Sequence, residues 1–156
     1  MRIYVASSWR NRYQQDVVRH LREVGHVVYD FRNPRDGDTG FHWSEIDPQW
    51  ESWTPEEYCS ALTHRLARQG FASDFAAMEW AEACVLVLPS GRSAHLEAGW
   101  FCGRGKLCIV YIPEPTEPEL MNKLASTVCT TLGDVLLALG TDLDALEQIE
   151  EAAKGD

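Results

Sequence analysis

The chain has 156 residues, of which 45% are hydrophobic and 24% are charged, and its sequence contains no apolar run long enough to span a membrane. Its formal net charge at pH 7 is −10, which argues against a nucleic-acid polymer or an anionic membrane as the partner. The composition is that of one globular domain, residues 1–156, with a core that needs no disulfide or metal. A small molecule or another protein remains as the partner.

The number and spacing of the cysteines indicate a reducing environment. There are five, an odd number, and no two form a Cys-x-x-Cys pair, so neither a disulfide framework nor a zinc site is expected. The N-terminus begins directly on an apolar segment without the pattern of a secretory leader. We therefore expect a cytoplasmic protein that carries no metal or cofactor.

The first part of the chain predicts a β-α-β unit. Residues 1–6 form an apolar run typical of a buried strand, residues 12–24 have the pattern of a helix that stops at Gly25, and residues 26–31 predict a second strand. Residues 32–53 have no clear period and hold three of the six tryptophans. A loop of that length in a compact domain is usually functional.

Two helices are expected in the next segment. The first covers residues 54–69, begins with a threonine cap followed by proline and two glutamates, and stops at Gly70. A second, shorter helix is then expected to begin with Ser73 or Asp74 as its cap and to reach Ala81.

The remaining elements continue the alternation of strands and helices. Strands are predicted at residues 83–88, 106–112 and 127–130, a turn at 89–93, a helix at about 94–103, and one or two C-terminal helices that include an acidic one at about 141–154. This order implies an open α/β sheet flanked by helices on both faces. Ligands in such folds bind beyond the carboxyl ends of the strands, which selects the loops at residues 7–12, 32–53 and 89–97.

Two carboxylates are the first candidates for chemistry. Glu97 is expected in the first turns of its helix, where it is either a ligand-facing carboxylate or a capping-box partner of Ser93. Asp74 is either a functional group or an ordinary N-cap. Because the two predicted helix starts flank one strand, both carboxylates are able to converge on one cleft, and glycosidic bond cleavage requires such a pair.

The other loops offer binding groups. Ser8 and Arg10 have the chemistry to hold a phosphate or carboxylate, although they also fit a plain polar loop. Phe41 and Trp43 are suited either to stacking on a flat base or to pinning the long loop to the body. His95 is an acid, a base or a hydrogen-bonding residue, and its spacing from the other histidines does not indicate a metal.

Several motifs resemble the nucleoside 2-deoxyribosyltransferase-like family. They are Ile3-Tyr4-Val5-Ala6, Asp74-x-x-x-Met78, and Ser93-Ala94-His95-Leu96-Glu97-Ala98-Gly99-Trp100 followed by Gly105-Lys106, within residues 1–112. The resemblance implies a flavodoxin-like three-layer sandwich with a mostly parallel sheet of about five strands. It also implies cleavage of the N-glycosidic bond of a (deoxy)nucleoside or its 5′-monophosphate, and a homodimer or larger homo-oligomer.

The resemblance also implies roles for single residues. Glu97 matches the glutamate that attacks C1′ of the sugar, and Asp74 matches the aspartate that helps to protonate the leaving base. Tyr4 matches an aromatic residue near the sugar. The Ser7-Ser8-Trp9-Arg10 loop resembles a Gly-Ser-Ile-Arg loop that holds the 5′-phosphate, which makes Ser8 and Arg10 phosphate ligands.

The chain departs from the family pattern six residues before Glu97. There the transferases carry an aspartate and the nucleotide hydrolases a serine, whereas this chain has Gly91, followed by Arg92. Ser93 and His95 are candidates to supply a hydroxyl or a proton instead, and Arg92 to keep the glutamate ionised. Two other functions stay open: hydrolysis of NAD or a related N-glycoside, and a nucleotide sensor without turnover.

Overall fold

The computed structural model describes residues 1–141, which form two compact units. The first unit comprises residues 1–29 together with the described chain from Ala81 onward, and the second comprises residues 30–80. The acidic helix predicted at about 141–154 lies, beyond Thr141, outside the described residues.

A parallel sheet carries the fold, as the sequence predicts. Its strands are β1 (Arg2–Ala6), β2 (Val27–Asp30), β3 (Ala83–Val87), β4 (Leu107–Tyr111) and β5 (Thr127–Cys129). Their order is β2-β1-β3-β4-β5, which is the doubly wound order of flavodoxin-like folds. Each strand lies within two residues of its predicted bounds, because apolar runs between turn residues define buried strands well.

The two faces of the sheet carry different residues because side chains alternate along a strand. Ile3, Val5 and Val85 lie on one face in a buried aliphatic cluster with residues from α1 and α5. Tyr4 and Cys84 lie on the other face, where α4 contacts the sheet. This second face therefore carries polar and aromatic groups beneath α4.

The helices of the described chain follow the predicted order with one important difference. They are α1 (Gln14–Glu23), α2 (Pro55–Leu62), α3 (Arg65–Trp80), α4 (Arg92–Gly103) and α5 (Leu132–Ala138). The predicted stop after α1 is confirmed, since Gly25 has a φ of 88° that other residues rarely adopt. The capping box at the start of α2 is also present, with the Thr54 side chain accepting from the Glu57 N–H.

The predicted helix boundary at Gly70 is wrong. The helix begun at Thr54 ends at Leu62, where the Thr63 hydroxyl donates to the Ser60 carbonyl oxygen at 2.8 Å, and Nδ1 of His64 accepts from a backbone N–H at the start of α3. A new helix, α3, then runs without interruption from Arg65 to Trp80.

Gly70 lies inside α3 for a steric reason. A Cβ at this position would lie 2.7 Å from Cβ of Phe41, so the absent side chain makes room for the aromatic ring. Ser73 and Asp74 consequently lie in the interior of α3 and are not helix caps. The helix stop predicted at Gly70 was wrong because glycine is favoured both where a helix ends and where another side chain packs closely against the backbone.

The long loop predicted at residues 32–53 is irregular, with two short 3₁₀ helices at Trp43–Glu45 and Trp50–Ser52. A third 3₁₀ helix, Leu120–Leu124, precedes β5 in the first unit.

Candidate functional site

Glu97 lies on α4, the helix that follows β3. The helix begins at Arg92 with Gly91 as its N-cap, and no side chain caps it, so the capping box considered for Ser93 and Glu97 does not form. Glu97 is the sixth residue of the helix and is half-buried. Its carboxylate is therefore not used to satisfy the backbone at the helix start.

The direction of Glu97 follows from its helical neighbours. Residues three and four apart share a helix face, so Glu97 lies on the same face as the buried Ala94 and Phe101. The Phe101 ring centroid is 5.8 Å from that of Tyr4. Burial, with smaller contributions that include the charge of Glu97, raises the pKa of Cys84. Glu97 is thus directed toward the sheet face that carries Tyr4 and Cys84.

Tyr4 lies at the centre of an aromatic group. Its side chain is fully buried in β1 and stacks on Tyr29 of β2, with ring centroids 5.3 Å apart and an interplanar angle of 15°. Phe101 of α4 packs against the same ring. The structure therefore fixes the orientation of Tyr4 below α4.

Asn11 joins the loop after β1 to the loop after β3. Its side-chain amide donates to the carbonyl oxygens of Val87 at 3.2 Å and Pro89 at 2.9 Å. Its side-chain oxygen accepts from the backbone N–H groups of Tyr13 at 2.7 Å and Gln14 at 3.0 Å. Asn11 was not among the residues expected to be functional, although an asparagine just before a helix was the available signal.

Ser8 and Arg10 form a tight turn in the same loop. The Arg10 N–H donates to the Ser8 hydroxyl at 3.2 Å, and the Asn11 N–H donates to the Ser8 carbonyl oxygen at 3.0 Å. The Arg10 side chain is exposed and makes no hydrogen bond or ion pair within residues 1–141. This guanidinium is therefore available to a ligand at the carboxyl end of β1.

The neighbouring Arg12 is already engaged. Its guanidinium binds the Glu114 carboxylate and donates to the Tyr13 hydroxyl at 2.6 Å. The Tyr13 hydroxyl in turn donates to the Glu114 carboxylate at 2.8 Å. These hydrogen bonds, that of Tyr13 contributing most, lower the pKa of Glu114. The cluster joins the start of α1 to the segment after β4.

His95 lies against the start of its own helix. Nδ1 lies 3.0 Å from the Gly91 carbonyl oxygen and 3.2 Å from the Ser90 hydroxyl, so a proton on Nδ1 is favoured. Nε2 is buried and has no hydrogen-bond partner in the described part of the chain. Arg92 and Ser93 are exposed in the first turn of α4.

The second unit contains a cavity of about 570 Å³, a volume typical of a small-molecule site. The α3 residues that line it include Leu66, Gln69, Gly70, Ser73 and Asp74, and the loop residues include Pro34, Arg35, Asp38, Gly40, Phe41 and Glu45. The predicted site residues Phe41 and Asp74 therefore lie on the wall of one cavity, even though Asp74 is not at a helix start.

The aromatic residues of the long loop pack on one another. The Trp43 ring makes edge contacts with Phe41, Trp53 and Tyr58 at centroid distances of 4.9, 5.7 and 6.1 Å. This packing orders the loop, and it leaves Phe41 as the aromatic ring that also lines the cavity.

Asp30, at the end of β2, is a buried carboxylate that was not among the residues predicted to be functional. It is 1% exposed and accepts from the Arg32 N–H at 3.0 Å and the Asn33 side-chain amide at 3.2 Å. Burial lowers the pKa of the Arg32 guanidinium, against the opposing effect of the Asp30 charge. An acidic residue directly after a strand was the signal that could have identified this site.

Within residues 1–141, no group of three or more His, Cys, Asp or Glu side chains is arranged to hold a metal ion. None of the helices described is long and apolar enough to cross a membrane.

Comparison with known proteins identifies the fold. No family model matches the chain, and no curated protein matches it. Among solved structures, the chain matches the 2-deoxyribosyltransferase of the psychrotolerant bacterium Bacillus psychrosaccharolyticus with a TM-score of 0.54 and 20% identity, over 85% of this chain and 88% of that one. The chain is therefore similar in fold to that enzyme over most of its length.

Proposed function

We propose that the protein cleaves the N-glycosidic bond of a (deoxy)nucleoside or its 5′-monophosphate, with Glu97 as the nucleophile. The observation that carries the proposal is the position of Glu97: it is a half-buried carboxylate on the face of α4 that also carries Phe101, whose ring packs against Tyr4. The fold shared with a 2-deoxyribosyltransferase supports the same reaction class.

The reaction divides into two steps. A Glu97 carboxylate oxygen bonds to C1′ of the sugar while the C1′–N bond breaks and its electron pair leaves with the base. The base takes a proton from the Asp74 carboxyl group as it departs. A glycosyl ester on Glu97 remains, and attack at C1′ by water or by a second base releases the carboxylate.

Asp74 and Phe41 are the residues that we propose for the base, and both line the cavity of the second unit. Asp74 and Gln69 both line this cavity from α3. They are five residues apart, which separates them by about 7.5 Å along the helix axis. Phe41 offers a ring face for stacking, and Trp43 holds it by an edge contact of 4.9 Å. Asp74 is the proposed proton donor to the base.

The 5′-phosphate is assigned to the turn after β1. Arg10 is exposed and uncommitted in the described chain, whereas Arg12 is bound to Glu114, so Arg10 is the guanidinium that pairs with the phosphate. The Ser8 hydroxyl lies in the same turn as a second ligand. We expect this pair to favour monophosphates over nucleosides.

The turn before α4 affects whether water or a second base completes the reaction. Gly91 supplies no side chain at a position where the transferases of the family that the chain resembles carry an aspartate and the nucleotide hydrolases carry a serine. We assign Arg92 and Ser93, both exposed in the first turn of α4, to substrate binding, and His95 to positioning that turn through Gly91.

We also propose a homodimer or larger assembly. Leu96, Leu120, Met121 and Leu124 are 76%, 77%, 64% and 60% exposed in the first unit, and such apolar surface is typical of an interface. A Met121→Glu variant is expected to lower the mass measured by light scattering, and unchanged mass would contradict this interface.

Chromatographic detection of free base tests the proposal. The wild-type protein and its Glu97→Ala, Glu97→Gln and Glu51→Gln variants are incubated with a panel of nucleosides, 5′-monophosphates and NAD. Glu97 is supported as the nucleophile if both Glu97 variants release base at least about 10³-fold more slowly than the wild type. The exposed control Glu51→Gln is expected to release base at the wild-type rate. Release of nicotinamide alone would indicate an NAD glycohydrolase.

Two other outcomes would overturn the proposal. Full turnover by Glu97→Ala would exclude Glu97 as the nucleophile. Thermal stabilisation by a nucleotide without release of base from any substrate would indicate a sensor.

An Arg10→Ala variant is expected to raise the KM for a monophosphate and leave that for the matching nucleoside unchanged.

A further inference from the structure

Three carboxylates lie along the wall of the cavity in the second unit. They belong to Asp38, Glu45 and Asp74, and Arg35 is the only cation among the described residues that line this cavity. Nε of Arg35 lies 3.6 Å from Oδ2 of Asp38, and Oδ1 of Asp38 accepts from the Gly40 N–H at 3.0 Å. The charge of Asp38 is therefore balanced within the wall, and the remaining carboxylates make the cavity negative.

Glu45 keeps one carboxylate oxygen for a ligand. Its Oε1 accepts from the His42 N–H at 2.8 Å, which holds the side chain in place, whereas its Oε2 makes no hydrogen bond within residues 1–141. The residue is exposed at the end of the 3₁₀ helix Trp43–Glu45. An ionised carboxylate accepts hydrogen bonds and donates none. Oε2 of Glu45 therefore favours a ligand that presents an N–H group.

The other polar side chains of the wall do not oppose this preference. The Gln69 amide makes no hydrogen bond in the part of the chain that is described, and it donates or accepts according to its rotation. The Ser73 hydroxyl, which also lines the cavity, has the same two capacities. Discrimination between a donor and an acceptor on the ligand is therefore left to Glu45.

The shape of the wall suits a flat ring. Phe41 lines the cavity, and Trp43 contacts it at a centroid distance of 4.9 Å. A Cβ on Gly70 would lie 2.7 Å from Cβ of Phe41, so the Phe41 side chain packs directly on the backbone of α3. An aromatic side chain fixed in this way is a surface on which a base stacks.

We propose that Glu45 makes this cavity selective for bases that carry an amino group beside a ring nitrogen, as adenine and cytosine do. The amino group donates to Oε2 of Glu45. Hypoxanthine and uracil carry a carbonyl oxygen at the same place, which leaves two acceptors facing each other without a hydrogen between them. A site that hydrogen-bonds a ligand N–H rejects an analogue that lacks it, because its own polar group then stays unpaired.

The inference rests on the proposed function only where it takes the bound base to be the leaving group of the reaction. Binding of a free base to the cavity requires no turnover. The selectivity is therefore measured separately from the release of base.

Calorimetric titration with free bases tests the inference. The protein is titrated with two matched pairs, adenine against hypoxanthine and cytosine against uracil. Glu45→Gln keeps a side-chain oxygen for the His42 N–H and removes the negative charge. Glu51→Gln removes the charge of an exposed residue that does not line the cavity, and it is the matched control.

The wild type and Glu51→Gln are expected to bind the amino base of each pair at least about tenfold more tightly than the oxo base. In Glu45→Gln the two affinities are expected to lie within about threefold of each other, because an amide offers both a donor and an acceptor.

Three results would overturn the inference: equal or tighter binding of the oxo bases by the wild type, an unchanged preference in Glu45→Gln, or no binding of any of the four bases. Preference for the amino bases in a protein that releases no base from any substrate would support the selectivity and contradict only the proposed reaction.

Discussion

The side-chain amide of Asn11 donates to the carbonyl oxygen of Pro89 at 2.9 Å, and this bond joins the loops after β1 and β3. Both loops carry proposed ligand-binding groups, Arg10 in the first and Arg92 near the second. Asn11 itself is 4% exposed and uses both ends of its amide. It is therefore a positioning residue for two parts of the candidate site.

Asn11→Ala is expected to lower the free energy of unfolding by about 2–3 kcal/mol, because it leaves buried backbone groups without partners. The change is measured by urea denaturation. Gln49→Ala removes an exposed amide and is expected to have no effect, since Gln49 uses only its backbone in the described hydrogen bonds. Equal stability of the two variants would contradict the role of Asn11.

Gly70→Ala tests why α3 tolerates a glycine in its interior. Alanine improves helix propensity by about 1 kcal/mol, but here its Cβ would lie 2.7 Å from Cβ of Phe41. We expect the steric cost to dominate and the free energy of unfolding to fall by about 1–3 kcal/mol.

Gly99 of α4 supplies the matched control for that substitution. A Cβ at Gly99 meets no atom within 4 Å, so Gly99→Ala is expected to preserve or raise stability. Thermal or urea unfolding of both variants gives the comparison. A Gly70→Ala protein as stable as Gly99→Ala would show that Phe41 shifts to accommodate the added Cβ without loss of stability.

Gly91→Ser tests the missing side chain before α4. Gly91 has a φ of −84° and a Cβ there meets nothing within 4 Å, so serine fits without strain. We expect the rate of base release to rise about tenfold, because one added hydrogen bond to the reacting groups lowers the activation free energy by an amount that corresponds to this factor. Gly99→Ser, on the same helix, is expected to leave the rate unchanged. A rate unchanged in Gly91→Ser would contradict this role of the position.

Glu114 predicts a pH-dependent contribution to stability. Its pKa is lowered from the usual 4.5, mainly by the hydrogen bond from Tyr13, so the folded state favours the ionised carboxylate. This contribution is present above pH 4.5 and is lost as the pH falls through the folded pKa. The wild type is therefore expected to exceed Glu114→Gln in unfolding free energy at pH 7, with the difference disappearing in acid.

Denaturant titrations of both proteins between neutral and acidic pH measure this difference. Glu117→Gln is the control, because the Glu117 side chain makes no hydrogen bond within residues 1–141. A difference between wild type and Glu114→Gln that persists unchanged in acid would contradict the contribution of the ionised carboxylate.

The sheet was predictable because its information is local. Runs such as Ala83–Val87 combine β-branched and apolar residues between turn residues, and their order along the chain implies parallel strands. The position of Glu97 on a helix after a strand was predictable for the same reason. Its capping-box interpretation was wrong because the helix begins at Arg92, a residue earlier than Ser93.

The features that the sequence did not reveal depend on contacts distant along the chain. Gly70 makes room for Phe41, which lies 29 positions earlier, and no local pattern distinguishes that from a helix stop. Asn11 was missed because its partners, Val87 and Pro89, lie on another loop.

Trapping the glycosyl ester shows directly whether Glu97 is the nucleophile. In a 2′-fluoro substrate the fluorine destabilises the positive charge that develops on the sugar and slows both steps. A good leaving base keeps the first step faster than the second, so the ester accumulates. The tryptic peptide 93–104 contains Glu97 as its only carboxylate side chain, so a sugar adduct on that peptide identifies the residue. We expect this adduct in the wild type and its absence in Glu97→Gln. Release of base with an adduct on another peptide would contradict it.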